Sequence, residues 1–165
     1  IMGPADEDEK YAKECYDLVE SLGVKDVEFT GRVNVRDYLG KMDFTLLTSI
    51  SEGQPLTILE SYAAHKPVIT TDVGNCRELI YGNEDGFGDA GILTHIMNIE
   101  EIAHAMVNMS INEENRKRMG EAGYKRVNAF YRIDQMKDVY REIYKGFSDS
   151  QNLSWTEEPF KINGH

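Results

Sequence analysis

Three short apolar runs, DFTLLTS at 43–49, KPVITTD at 66–72 and DAGILTH at 89–95, alternate with stretches of helical periodicity, and this restricts the fold more than any other feature. Strands that are apolar throughout, rather than at every second position, are the kind covered on both faces. Parallel neighbours need crossover connections of a dozen or more residues, which helices supply. The expected class is therefore α/β, a doubly wound parallel sheet.

The elements between and around these runs can be placed by spacing and by stop signals. Tyr11, Cys15, Leu18, Val19 and Leu22 share a helical face that ends at Gly23. DVEFTG (26–31) reads as a further short strand, and NVRDYLGKM (34–42) as a short helix capped by Asn34. A helix from about Pro55 to His65 follows the first apolar run, and NCRELI (75–80) makes a short helix with Asn75 and Glu78 as a capping box. Residues 98–147 read as three helices. Asn98 with Glu101 forms a second capping box, Ile99, Ile102, Ala103 and Met106 share a face, and a helix opened by Asp134 turns Met136, Tyr140, Ile143, Tyr144 and Phe147 inward. The segment 148–165, with Trp155 and Pro159, loses periodicity and reads as a tail or a strap over another domain. The opening IMGP reads as a strand end entering a helix, so a fragment with a sheet incomplete at its N-terminus is expected.

At 165 residues the chain is long enough to bury about two thirds of its unfolded surface in one core. Eighteen basic against 29 acidic side chains give a net charge of −11, the wrong sign for a phosphate backbone or an anionic membrane, so no nucleic-acid partner is expected. An anionic ligand would have to be met locally, by helix N-termini and a few basic groups. No apolar run approaches the roughly 20 residues that span a bilayer. Cys15 and Cys76 lie in different elements without metal-type spacing, which suits free thiols in a cytoplasmic protein.

The stretch SISEGQPLTILESYAAHKPVITTDVG (49–74) carries the candidate chemistry. Ligands of doubly wound folds bind at the carboxyl ends of the strands, where loops lead into helix N-termini. Pro55 suits the first helical turn, leaving the amides of Leu56 and Thr57 free to meet an anion. Glu52 and Glu60 are eight positions apart, about 12 Å along a helix axis, too far to share a proton or a metal. The spacing fits an extended polar ligand with hydroxyls at both ends and an anionic middle, such as a nucleotide sugar. Taken by itself it fits better two ordinary residues, one favoured by the helix dipole and one solvated.

The ordered set of VEFTGRV, DFTLLTSISEGQPLTILESYAAHKPVITTDVGNCRELI, RKRMGEAGYKRV and FYRIDQMKDVYREIY decides between them. Over residues 1–147 it resembles the C-terminal, donor-binding half of retaining GT-B glycosyltransferases of family four, a Rossmann-like domain. SEGQPLTILE, VGNCRELI and FYRIDQM are most similar to the branch that includes the Pel exopolysaccharide glycosyltransferase, which uses UDP-glucose. The resemblance implies a retaining hexosyltransferase that moves glucose from UDP-glucose to a glycan acceptor bound by an absent N-terminal domain. It also implies no metal requirement and association with a membrane polysaccharide-export complex. On matching positions, Glu52 would contact the transferred sugar at the reacting centre, Gly53, Gln54, Pro55, Leu56 and Thr57 the sugar and diphosphate, Glu60 the ribose, and Gly31, Arg32 and Val33 the nucleobase. The fragment alone is expected to be inactive.

Departures from the pattern are Pro55 and His65 where many relatives have Gly, and the absence of the strand-helix unit that supplies Arg and Lys to the diphosphate. His65 is expected to end its helix in a left-handed conformation rather than to act as a base. DED at 6–8 opens a helix, where acidic residues are favoured without a metal. YGNEDGFGDAG (81–91) lacks a dinucleotide fingerprint and reads as a loop at the cleft rim. Two rival readings remain: a non-catalytic interaction module, and a sugar-nucleotide epimerase on the same fold.

Overall fold

The computed structural model describes residues 1–151, with side chains through Phe147, and the expected tail residues Trp155 and Pro159 lie outside them. The described backbone forms two compact units, residues 1–43 and a second beginning at Phe44.

In the first unit, helix α1 (Glu9–Ser21) is capped by Asp8, whose side chain accepts from the Tyr11 amide at 2.9 Å. Within the acidic triplet 6–8, Asp8 is thus a cap and Glu7 pairs with Arg32. The expected strand at 26–31 is reduced to a single parallel bridge between Met2 and Gly31, flanked by Thr30 N–H to Ile1 O and Gly3 N–H to Gly31 O, each 3.0 Å. On the Met2 side the pairing stops at Pro4, which has no amide to donate. Helix α2 (Arg36–Leu39) follows, with the Asn34 side chain accepting from the Arg36 amide at 3.3 Å.

The second unit holds a three-stranded parallel sheet in the order β1 (Thr45–Leu47), β2 (Val68–Thr71), β3 (Gly91–Thr94). The connections carry α3 (Leu56–Ala63) and α4 (Cys76–Tyr81), and α5 (Ile99–Ile111), α6 (Glu113–Phe130) and α7 (Ile133–Gln151) follow among the described residues. Alternation along β2 divides the core. Val68 packs with Ile58 and Tyr62 of α3, Cys76, Leu79 and Ile80 of α4 and Ala122 of α6, whereas Ile69 packs with Ala105 and Met109 of α5 and Met119 of α6. The sheet is thus covered on both faces, as the apolar runs require. β1 is an edge of this sheet, so its Leu46 is exposed rather than covered on both faces.

Helix α6 lies close against α3. A Cβ at Gly120 would strike the carbonyl of His65, and one at Gly123 the ring of Tyr62. Arg126, one turn further on, is buried and uses its whole guanidinium fork. It donates to both carboxylate oxygens of Asp85 (2.6 and 3.0 Å), to the carbonyls of Leu79 and Ile80 (3.0 Å each) and to that of Gly88 (2.7 Å). This clamp holds the end of α4 and the glycine-rich loop after it. Arginine beside Asp85 lowers its carboxyl pKa below the ordinary carboxylate value.

Three helix expectations are corrected. The buried face of α5 is Ala105 and Met109, with Ile99 and Met106 exposed, because the stripe facing β2 and α6 lies one step round the helix. The apolar side chains of α7 are not buried inward: Met136, Tyr140, Ile143, Tyr144 and Phe147 are about half exposed or more. Asn75 and Glu78 do not form a capping box. The Asn75 side chain caps no amide, and Glu78 instead accepts from the Tyr131 hydroxyl at 3.1 Å. The second box is half made, for Asn98 accepts from the Glu101 amide at 3.1 Å while the Glu101 carboxylate turns to the backbone and ring of His95.

Candidate functional site

The loop between β1 and α3 and the loop between β2 and α4 both leave the carboxyl ends of parallel strands, and they are fastened to each other. The Asn75 amide donates to the Gly53 carbonyl at 2.8 Å, and the Thr71 hydroxyl donates to the Ser49 carbonyl. Gly74, with φ +52°, completes the junction: a Cβ there would lie under 3.0 Å from the carbonyl oxygens of Glu52 and Gly53. Only glycine combines that backbone angle with so close an approach. Glu52 sits half-buried on this support, and its Oε1 accepts from the Ser49 hydroxyl at 2.7 Å.

Pro55 is the N-cap of α3 rather than its first helical residue, with φ −71° and ψ 115°. Its carbonyl accepts from the Ile58 amide at 3.2 Å, which leaves the amides of Leu56 and Thr57 without a backbone acceptor among the described residues. No acidic side chain occupies the first turn. The start of α3 is therefore open to an anion in charge and in hydrogen bonding. Glu60 lies on the same helix, exposed, and its carboxylate has no partner among the described residues.

At its other end α3 closes in a Schellman motif, with Lys66 N–H to Ser61 O and His65 N–H to Tyr62 O, both 2.9 Å. His65 occupies the left-handed position at φ 56°, as the sequence implied. Its ring stacks on Tyr124 with centroids 3.7 Å apart, and its Nδ1 lies 3.3 Å from Glu121. These contacts give His65 a structural task at the end of α3 away from Glu52. Cys76, the first residue of α4, is fully buried against the Thr70 hydroxyl.

Of the remaining expected residues, Gly53 and Gln54 form the turn into α3, while Gly31, Arg32 and Val33 belong to the first unit. Gly31 has φ +65° and Arg32 is exposed beside Glu7. Spacing alone did not reveal Ser49, Thr71 and Asn75 as the fastening of the Glu52 loop, nor the Arg126 clamp. The clamp had a signal: Met119, Ala122, Gly123 and Arg126 recur at helical spacing, and an arginine on an apolar face demands a buried partner.

The family model described as glycosyl transferases group 1 matches residues 1–126, and the chain belongs to that family. Among curated relatives, it is 29% identical over 145 residues to an uncharacterized glycosyltransferase of Methanocaldococcus jannaschii, covering 86% of this chain and 40% of that protein. It is 32% identical over 129 residues to N-acetyl-alpha-D-glucosaminyl L-malate synthase of Bacillus anthracis, covering 77% of this chain and 32% of that protein. The chain thus spans well under half the length of either. Among solved structures, HepE of Anabaena in complex with UDP-glucose superposes with a TM-score of 0.79 at 20% identity, over 88% of this chain and 40% of that one. Sucrose-phosphate synthase from Thermosynechococcus elongatus gives 0.71 at 22%, over 82% and 35%. The fold is that of GT-B glycosyltransferases, in agreement with the parallel α/β class expected from the sequence. No helix among the described residues is long and apolar enough to cross a membrane.

Proposed function

We propose that this chain is the donor-binding domain of a cytoplasmic retaining glycosyltransferase that transfers glucose from UDP-glucose to a glycan acceptor. The observation that carries the reading is the pairing of an open α3 N-terminus with two carboxylates on either side of it. Glu52 is braced on its loop, and Glu60 is exposed without a partner among the described residues. In this reading the diphosphate lies against the amides of Leu56 and Thr57 and the turn at Gly53–Gln54–Pro55. A phosphate oxygen there gains two backbone donors and the favourable end of the helix dipole.

Glu52 accepts from hydroxyls of the transferred sugar and supplies negative charge where positive charge develops at the anomeric carbon during departure of the diphosphate. It acts by electrostatics and positioning, and retention follows from attack on the face the diphosphate leaves. Glu60 accepts from the ribose diol, and Gly31, Arg32 and Val33 are assigned to the nucleobase. No metal is needed in this scheme, because backbone donors and the helix N-terminus meet the diphosphate. UDP-glucose, rather than another donor, is supported by the resemblance to the Pel exopolysaccharide branch and by the HepE complex with that nucleotide sugar. The acceptor-binding half, the polysaccharide acceptor and an export-complex partner belong in this reading to a longer protein.

Amide NMR titration of this chain with UDP, UDP-glucose and GDP tests the reading. Saturable shifts at Gly53, Leu56 and Thr57 with the uridine nucleotides, larger than with GDP, are expected. Shifts that avoid the start of α3 would refute it.

A further inference from the structure

A carboxylate on a half-buried loop swings among rotamers unless something fixes it, and Glu52 is fixed by a serine. Ser49 Oγ lies 2.7 Å from Glu52 Oε1, three residues before it, so the side-chain bond closes the loop on itself. The serine is anchored in turn, for its carbonyl accepts from the hydroxyl of Thr71, a buried residue of the middle strand β2. A continuous path therefore runs from the centre of the sheet through Thr71 and Ser49 to one oxygen of Glu52.

The chemistry of the donor matters. A lysine or arginine in the place of Ser49 would neutralise the carboxylate, whereas a hydroxyl orients it and leaves its full negative charge. The bond also occupies Oε1, so that Oε2 remains for a ligand. We propose that Ser49 is the positioning residue for Glu52, holding the carboxylate with Oε2 turned to the transferred sugar, and that Thr71 ties this arrangement to the sheet. The inference rests on the donor-domain reading for its ligand, but the orientation of Glu52 can be measured without one.

Two measurements on wild-type chain, Ser49→Ala and Ser49→Thr test it. In calorimetric titrations with UDP-glucose and with UDP, Ser49→Ala loses about fivefold or more of the preference for UDP-glucose, the factor one hydrogen bond commands, while UDP affinity stays within about twofold. Ser49→Thr, which keeps the hydroxyl, restores the preference. A variant that weakens both nucleotides alike, or neither, overturns the inference, since a merely structural role would not single out the sugar.

The second arm follows the Glu52 side-chain carbons by NMR with labelled glutamate, assigned through Glu52→Gln, with no nucleotide present. One orientation is expected in wild type and Ser49→Thr, and rotamer averaging in Ser49→Ala. Averaging in a chain that binds no nucleotide would leave the positioning role standing and remove the donor-domain reading. An unchanged Glu52 signal in Ser49→Ala would overturn the inference even if UDP-glucose binds.

Discussion

Replacing Gly74 by alanine should injure the site from beneath. Two costs follow from the structure. The residue holds φ +52°, which for an L side chain costs about 1 kcal/mol or slightly more. The added Cβ would also fall under 3.0 Å from the carbonyl oxygens of Glu52 and Gly53, backbone atoms that cannot rotate away. Forcing such an overlap costs roughly 1–3 kcal/mol, and relieving it by moving the loop breaks the bond from the Asn75 amide to the Gly53 carbonyl. Gly74→Ala should therefore lower unfolding stability by about 2–4 kcal/mol, read as a shift of the urea midpoint at constant slope. Gly53→Ala is the control: nothing lies within 4 Å of a Cβ there, so its stability should stay within about 0.5 kcal/mol. If Gly74→Ala proved as stable as Gly53→Ala, the claim that these two loops are pinned together would be refuted.

The clamp on the glycine-rich loop makes a pH-dependent prediction. Asp85 and Arg126 have side chains 4% and 1% exposed, and breaking so buried a pair costs about 3–5 kcal/mol, so Asp85→Asn should lose that order of stability at pH 7. Because the folded-state pKa of Asp85 is lowered, its contribution is complete above the ordinary carboxylate value of about 4 and disappears as the pH falls through the depressed one. Denaturation midpoints between pH 7 and 2 should fall less steeply below pH 4 in Asp85→Asn than in wild type. On α7, Tyr140→Ser and Tyr144→Ser should leave thermal stability of this chain within about 0.5 kcal/mol, where inward-facing tyrosines would cost several times more.

The sequence made the parallel sheet legible because its strands are short, apolar throughout and separated by helical spacing, and β2, buried at all four residues, is the clearest case. Two other signals misled for identifiable reasons. The apolar stripe of α7 has the periodicity of a buried helix, but periodicity reports a face, not whether anything covers it. Asn75 and Glu78 have the spacing of a capping box, yet the Tyr131 hydroxyl and the Gly53 carbonyl claim their hydrogen-bonding groups, and those partners are distant in the chain. At the candidate site, Glu52, Glu60 and the glycine-proline turn are proposals that local sequence already singles out. The roles of Ser49, Thr71 and Gly74 depend on contacts between two strand ends, and no local pattern states which loop lies against which. His65 was readable because its left-handed position follows from where the helix must stop.

In the donor-domain reading, Glu60, exposed and without a partner among the described residues, holds the ribose hydroxyls of a nucleotide. The most direct measurement is a calorimetric titration of this chain and of Glu60→Ala with UDP. Saturable binding by wild type is expected, weakened about tenfold or more in the variant, the scale of a charge-assisted hydrogen-bond pair, with no loss of stability. Equal affinity in the two proteins would contradict it.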